Sequence, residues 1–266
     1  MHSQSLIEAH CLQQEPEVVI VDCRFSLADT AQGRALYTAG HIPGAHYLDL
    51  NHDLSRPVQQ HGGRHPLPDA PTLAGKLASL GVGPETRVVA YDDSGFAYAS
   101  RLWWLMRSLG YKPPQILNGG FQAWVELGGE LEQAPPRQIN VEPVASEFTG
   151  FCDVQDLRQL LSAGCVLVDS REERRYQGLE EPIDPVAGHI PGAMNHPWQG
   201  VTDETGRILD EQGLRDHWGE TLEAEQLAVY CGSGVTACVN LFSLSLLGRD
   251  DAVLYAGSWS DWCSYL

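Results

Sequence analysis

Basic residues are scarce in this chain. Seventeen lysines and arginines stand against 35 aspartates and glutamates, a formal net charge of −18. Nucleic-acid backbones and anionic membrane surfaces are held by clustered cations. Neither is therefore an expected partner, and any anionic ligand needs a local positive site working against the overall field. Long apolar runs are also missing. The greasiest stretch, 239–247, is short and broken by Asn240 and two serines, far from the roughly 18 residues that span a bilayer. The first 20 residues carry Glu8, Glu15 and Glu17 but no lysine or arginine, unlike a secretory signal. The seven cysteines (11, 23, 152, 165, 231, 238 and 263) include no Cys-x-x-Cys pair, and their number is odd. A disulfide framework and a four-cysteine zinc site are both unexpected. The expectation is a cytoplasmic protein with mostly buried thiols.

What the chain does have is an internal duplication. The heptapeptide Ala-Gly-His-Ile-Pro-Gly-Ala occurs at 39–45 and again at 187–193. Around it, the run 18–24 ending in Asp22-Cys23-Arg24 matches 166–171 ending in Asp169-Ser170-Arg171. The run 87–95 matches 227–234, and Asn118-Gly119-Gly120 before Trp124 matches Ala256-Gly257-Ser258 before Trp262. Short β-branched strands alternate with helical stretches in each half, which predicts parallel sheets covered on both faces. The expected architecture is two tandem α/β domains, 1–132 and 148–266, each a mostly parallel sheet flanked by helices. A proline-bearing linker at 133–147 joins them.

The duplication sorts residues. Those present in both halves, Asp22-x-Arg24 with Asp169-x-Arg171 and His41 with His189, read as structural. Cys231 occurs in one half only, where the other has Asp92. The segment 227–230 reads as a strand and 237–248 as a helix. Cys231 thus sits at the carboxyl end of a parallel strand, where ligands bind in open α/β sheets. Gly232 and Gly234 let the backbone turn tightly, so that several N–H groups of the loop 231–236 can face one centre. Such dipoles, with a helix N-terminus, favour a thiolate or any other sulfur anion.

The repeated Asp-x-Arg and Gly-His-Ile-Pro-Gly elements, together with Cys231-Gly-Ser-Gly-Val-Thr-Ala237, resemble the tandem rhodanese family across essentially the whole chain. The loop is similar to that of the family's 3-mercaptopyruvate sulfurtransferase branch. The resemblance implies sulfur transfer through a persulfide on Cys231, with Gly232, Gly234, Val235 and Thr236 forming the binding loop. It implies that Arg175 contacts the donor's anionic group, that Ser233 assists proton movement, and that His65 faces the site from the first domain. It also implies a thiol, such as thioredoxin, or cyanide as acceptor, and a reaction that requires no metal or organic cofactor. The thiosulfate branch carries Arg-Lys after its cysteine, where this chain has Gly232-Ser233. A neutral loop suits a thiol donor bearing a carboxylate, so 3-mercaptopyruvate is the expected donor and thiosulfate the alternative.

Two positions depart from the mercaptopyruvate pattern. Asp184 stands nine residues after Arg175, where that branch often has a second arginine, and Asn51 replaces the aspartate of a Ser–His–Asp relay. A cysteine phosphatase would need an arginine six residues after the nucleophile, and that residue is Ala237. A persulfide relay module without turnover is the non-enzymatic alternative. Cys238 reads as a core cysteine.

Overall fold

The computed structural model describes residues 5–15, 17–137, 139–144 and 146–266. The chain divides into two compact units. The first comprises the described residues through Arg56, with Pro68–Thr149 and Glu204–Ile208. The second comprises Pro57–Leu67, Gly150–Asp203 and Leu209–Leu266.

In the first unit the strands are β1 (Leu6–Ile7), β2 (Val19–Asp22), β3 (His46–Tyr47), β4 (Val88–Tyr91) and β5 (Gln115–Leu117). In the second they are β6 (Phe151–Cys152), β7 (Val166–Asp169), β8 (Met194–Asn195), β9 (Leu227–Tyr230) and β10 (Val253–Tyr255). The first sheet runs β1-β5-β4-β2-β3 and the second β6-β10-β9-β7-β8, the same order twice. Every pairing is parallel. The central strands β4 (Val-Val-Ala-Tyr) and β9 (Leu-Ala-Val-Tyr) are buried throughout, as sheets covered on both faces require.

The helix after each of these strands is nearly as buried. We label them α1 (Ala99–Ser108) and α2 (Ala237–Leu246). A helix buried on most of its faces is a core element, consistent with the apolar run expected at 237–248. The chain leaves α2 through Gly248, whose φ of 84° suits glycine.

The duplicated residues do the same structural work in both units. Asp22 and Arg24 are buried and joined at 2.6 Å, as are Asp169 and Arg171. Arg24 also donates to the Gly40 carbonyl at 2.8 Å and Arg171 to that of Gly188 at 2.7 Å. The pair therefore ties the end of β2 or β7 to the Gly-His-Ile-Pro-Gly turn. In that turn the Ala45 N–H donates to the Ile42 carbonyl at 2.9 Å, and Ala193 to Ile190 at 3.0 Å. Proline at the second position and glycine with positive φ at the third make it a type II turn. His41 and His189 meet the carbonyls of Tyr37 and Tyr176 through Nδ1, each at 2.8 Å, and stack on the same tyrosine rings.

The compact units differ from the sequence division at three places. The described residues of 133–149 cluster with the first unit rather than forming an independent linker. There the Val141 N–H donates to Ala78 O at 3.1 Å and the Tyr111 hydroxyl to Val144 O at 2.7 Å. Glu204–Ile208 also belongs to the first unit, with the Ile208 N–H donating to Asn118 Oδ1 at 3.0 Å. Pro57–Leu67 belongs to the second. There the Gly62 N–H donates to Asp261 Oδ1 at 2.7 Å, and the Arg64 N–H to Ser260 Oγ at 3.1 Å. The short polar or glycine-rich segments at 57–67 and 204–208 carry little apolar patterning, so periodicity does not reveal which core they join.

Breaking a buried pair leaves one uncompensated charge. Arg24→Met strands the Asp22 carboxylate and is expected to cost about 3–5 kcal/mol. Urea unfolding followed by tryptophan fluorescence measures it; a loss below about 1 kcal/mol contradicts the tie.

Candidate active site

Cys231 follows β9 directly and is buried. Its N–H donates to Ser258 Oγ at 3.1 Å, and its carbonyl accepts from the Trp259 N–H at 3.0 Å. Ser258 holds this position with φ of 56°, uncommon for a non-glycine residue and a mark of local strain. Its counterpart in the first unit is Gly120, where a side chain would meet the Asp92 carbonyl at 2.2 Å. Gly232 O accepts from the Ser260 N–H at 2.9 Å. Gly234 has φ of 75°, and a Cβ there would lie 2.3 Å from the Ala256 carbonyl. Val235 is buried and Thr236 leads into α2. The loop 231–236 is thus pinned from below by the segment 256–260.

The equivalent loop of the first unit shows what this backbone does with an anion. Asp92 Oδ1 accepts the N–H groups of Ser94 and Phe96 at 2.9 and 3.2 Å. Its Oδ2 accepts those of Tyr98 and Ala99 at 2.9 and 2.8 Å. Burial pushes the Asp92 carboxyl up, while these backbone donors pull it down. Cys231 occupies the matching place in the duplicated loop.

Ser233 is buried beside His65, with Ser233 Oγ 2.8 Å from His65 Nδ1. Both residues belong to the second unit, so this histidine stands within the cysteine's own unit rather than reaching it from the first. Asp49 is spent locally: its Oδ1 accepts the N–H groups of Asn51 and His52 at 2.8 and 3.1 Å. Asn51 and Asp49 both lie in the first unit.

Arg175 is held by Glu181, Nε–Oε2 at 3.2 Å and Nη2–Oε1 at 2.7 Å, and by Asp184 Oδ2 at 3.1 Å. A Cβ on Gly232 would sit 3.5 Å from Arg175 Nη1, which places the guanidinium over the cysteine loop. Asp184, a departure in the sequence, is therefore a structural partner of Arg175. Arg64, which sequence reasoning passed over although it precedes His65, pairs with Asp184 Oδ1, and a Cβ on Gly232 would lie 3.0 Å from its Nη2. Glu181 was missed as well; it links Arg175 to Arg171 at 3.2 Å. Cys238 is fully buried, its thiol toward the Gly234 carbonyl at 3.4 Å, as a core cysteine.

A duplicated five-stranded parallel α/β unit, with a cysteine loop closing one copy, defines the class as two-domain sulfur-transfer proteins. The rhodanese-like domain model matches residues 5–127 and 153–265. The chain is 42% identical to the "Probable 3-mercaptopyruvate sulfurtransferase" of Pseudomonas aeruginosa, over 98% of this chain and 96% of that one. It is 32% identical to the thiosulfate sulfurtransferase of Cricetulus griseus, over 93% and 85%. Its fold superimposes on a 3-mercaptopyruvate sulfurtransferase from Leishmania major with a TM-score of 0.86 at 30% identity, covering 99% of this chain and 75% of that one. The chain belongs to the rhodanese family, as a tandem-domain sulfurtransferase.

Gly234→Ala combines positive-φ strain with a backbone collision, and is expected to destabilise the protein by about 2 kcal/mol or more. Thermal unfolding measures it, and a variant as stable as wild type means that the loop is not pinned as described.

Proposed function

We propose that the protein moves the thiol sulfur of 3-mercaptopyruvate to a thiol or cyanide through a persulfide on Cys231, in which it becomes sulfane sulfur. The observation that carries this reading is the Arg175 guanidinium over the Cys231-Gly232-Ser233 loop, whose own side chains carry no fixed charge, with the Ser233–His65 pair beside it. A planar guanidinium suits a carboxylate, and a neutral loop leaves room for a thiol carbon chain.

The Cys231 thiolate attacks the donor sulfur. A sulfur–sulfur bond forms as the donor's carbon–sulfur bond breaks, and the electron pair of that bond passes to the pyruvate enolate. Ser233, linked to His65, supplies a route for the proton that converts the enolate to pyruvate. The persulfide, held in the loop as the Asp92 carboxylate is held in its counterpart, awaits the second substrate. The acceptor thiolate then takes the outer sulfur, and the Cys231 thiolate leaves. Two covalent half-reactions imply ping-pong kinetics. Pro57–Leu67 forms part of the catalytic domain in this scheme, with Gly150–Asp203 and Leu209–Leu266. Among the described residues no helix is long and apolar enough to cross a membrane. A reducing cytoplasm, with thioredoxin or another thiol as acceptor, suits a protein whose seven cysteines are all free.

One observation favours thiosulfate as donor: a second guanidinium, Arg64, also faces the loop. Steady-state release of pyruvate from 3-mercaptopyruvate, beside thiocyanate formation from thiosulfate, separates the two donors. We expect kcat/KM to favour 3-mercaptopyruvate by about 10-fold or more. Cys231→Ser should lose about 10³-fold or more with either donor, and Ser233→Ala about 10-fold or more in kcat. A preference for thiosulfate reverses the donor assignment. Persulfide on Cys231 without turnover of either donor identifies a relay module instead.

A further inference from the structure

We propose that Arg64 is a second donor-binding residue, forming with Arg175 a two-guanidinium clamp over Gly232 in which Asp184 is the shared brace. The inference rests on the reading that the donor is an anion presented to Cys231.

Asp184 is nearly inaccessible, with 2% of its side chain exposed, and it binds Arg64 through one oxygen and Arg175 through the other. Glu181 occupies the remaining inner edge of Arg175. These contacts leave Nη1 of Arg175 and Nη2 of Arg64 without a hydrogen-bond partner among the described residues. Both nitrogens turn to one point. A Cβ on Gly232 would lie 3.0 Å from Arg64 Nη2 and 3.5 Å from Arg175 Nη1. Gly232 adjoins the candidate nucleophile, so open donors from two cations converge next to the reacting sulfur.

Charge explains why a brace is needed. Two guanidiniums this close repel one another, and the carboxylate between them holds both in place while fixing their outer edges. Burial lowers the Arg64 pKa and Arg175 lowers it further, while a negative charge on Cys231 opposes both. Asp184 therefore does not mark a lost arginine. The second cation comes from a different part of the chain, 57–67, and the aspartate orients it. A chain of net charge −18 in this way presents a local positive site to an anionic donor.

The test compares iodoacetate, a carboxylate, with neutral iodoacetamide as alkylating agents. Labelling of the Cys231 peptide is followed by mass spectrometry in wild type, Arg64→Gln and Arg64→Lys. The ratio of iodoacetate to iodoacetamide rates should fall about 5-fold or more in Arg64→Gln. It should fall by a smaller factor in Arg64→Lys, which keeps the charge but loses the fork. In parallel, KM for 3-mercaptopyruvate should rise about 10-fold or more in Arg64→Gln, with kcat within about 3-fold. Wild-type alkylation ratios in both variants overturn the proposal. So does an equal fall in both alkylation rates, which marks an effect on the thiol rather than on the anion. If wild type turns over neither donor, the functional reading fails, and the alkylation ratio still decides the role of Arg64.

Discussion

The buried Asp169–Arg171 pair is the constraint on which the second unit's site depends. It stands at the carboxyl end of β7, beside the strand that carries Cys231. The Arg171 guanidinium grips Asp169 and the Gly188 carbonyl, and passes its remaining edge to Glu181. Glu181 holds Arg175, Arg175 meets Asp184, and Asp184 meets Arg64. Alternating charges thus run from the sheet's core to the cysteine loop. Each buried member is compensated by its neighbours, the condition under which buried charge is tolerated. The hydroxyl of Tyr230, the residue before Cys231, accepts the Ile190 N–H at 3.1 Å and so joins the loop's root to the turn.

The first unit builds the same core and stops short of the same site. Asp22, Arg24 and Tyr91 repeat the arrangement, with the Tyr91 hydroxyl donating to Asp22 at 2.7 Å. Its loop closes on the Asp92 carboxyl group, which accepts four backbone N–H groups. The second unit has Cys231 at the matching position. Duplication supplies the scaffold twice, and the second copy differs in the residue at the strand end, Cys231 for Asp92, and in the charged residues around its loop.

Much of this was legible in the sequence because it is local or repeated. The strands around 19–22, 88–91, 166–169 and 227–230, the repeat of Gly-His-Ile-Pro-Gly, and the structural character of Asp-x-Arg follow from periodicity and the filter of duplication. The family resemblance implied a His65 that faces the site from the first domain; the structure instead has it beside Ser233 within the second unit. Arg64, Glu181 and the bracing role of Asp184 were not legible. Each is a charged residue in a stretch without apolar pattern, and such residues most often point to solvent.

The sequence by itself determined the two α/β sheets, their identical order of elements, and the single cysteine loop, because backbone geometry and apolar spacing are written in neighbouring residues. Only the tertiary structure decided which charges surround that loop. Arg64 and Asp184 are 120 residues apart, and their pairing depends on the polar segment 57–67 hydrogen-bonding to 260–264 rather than on any local preference. Long-range electrostatic pairing has no sequence period, so it becomes visible only when the chain has closed.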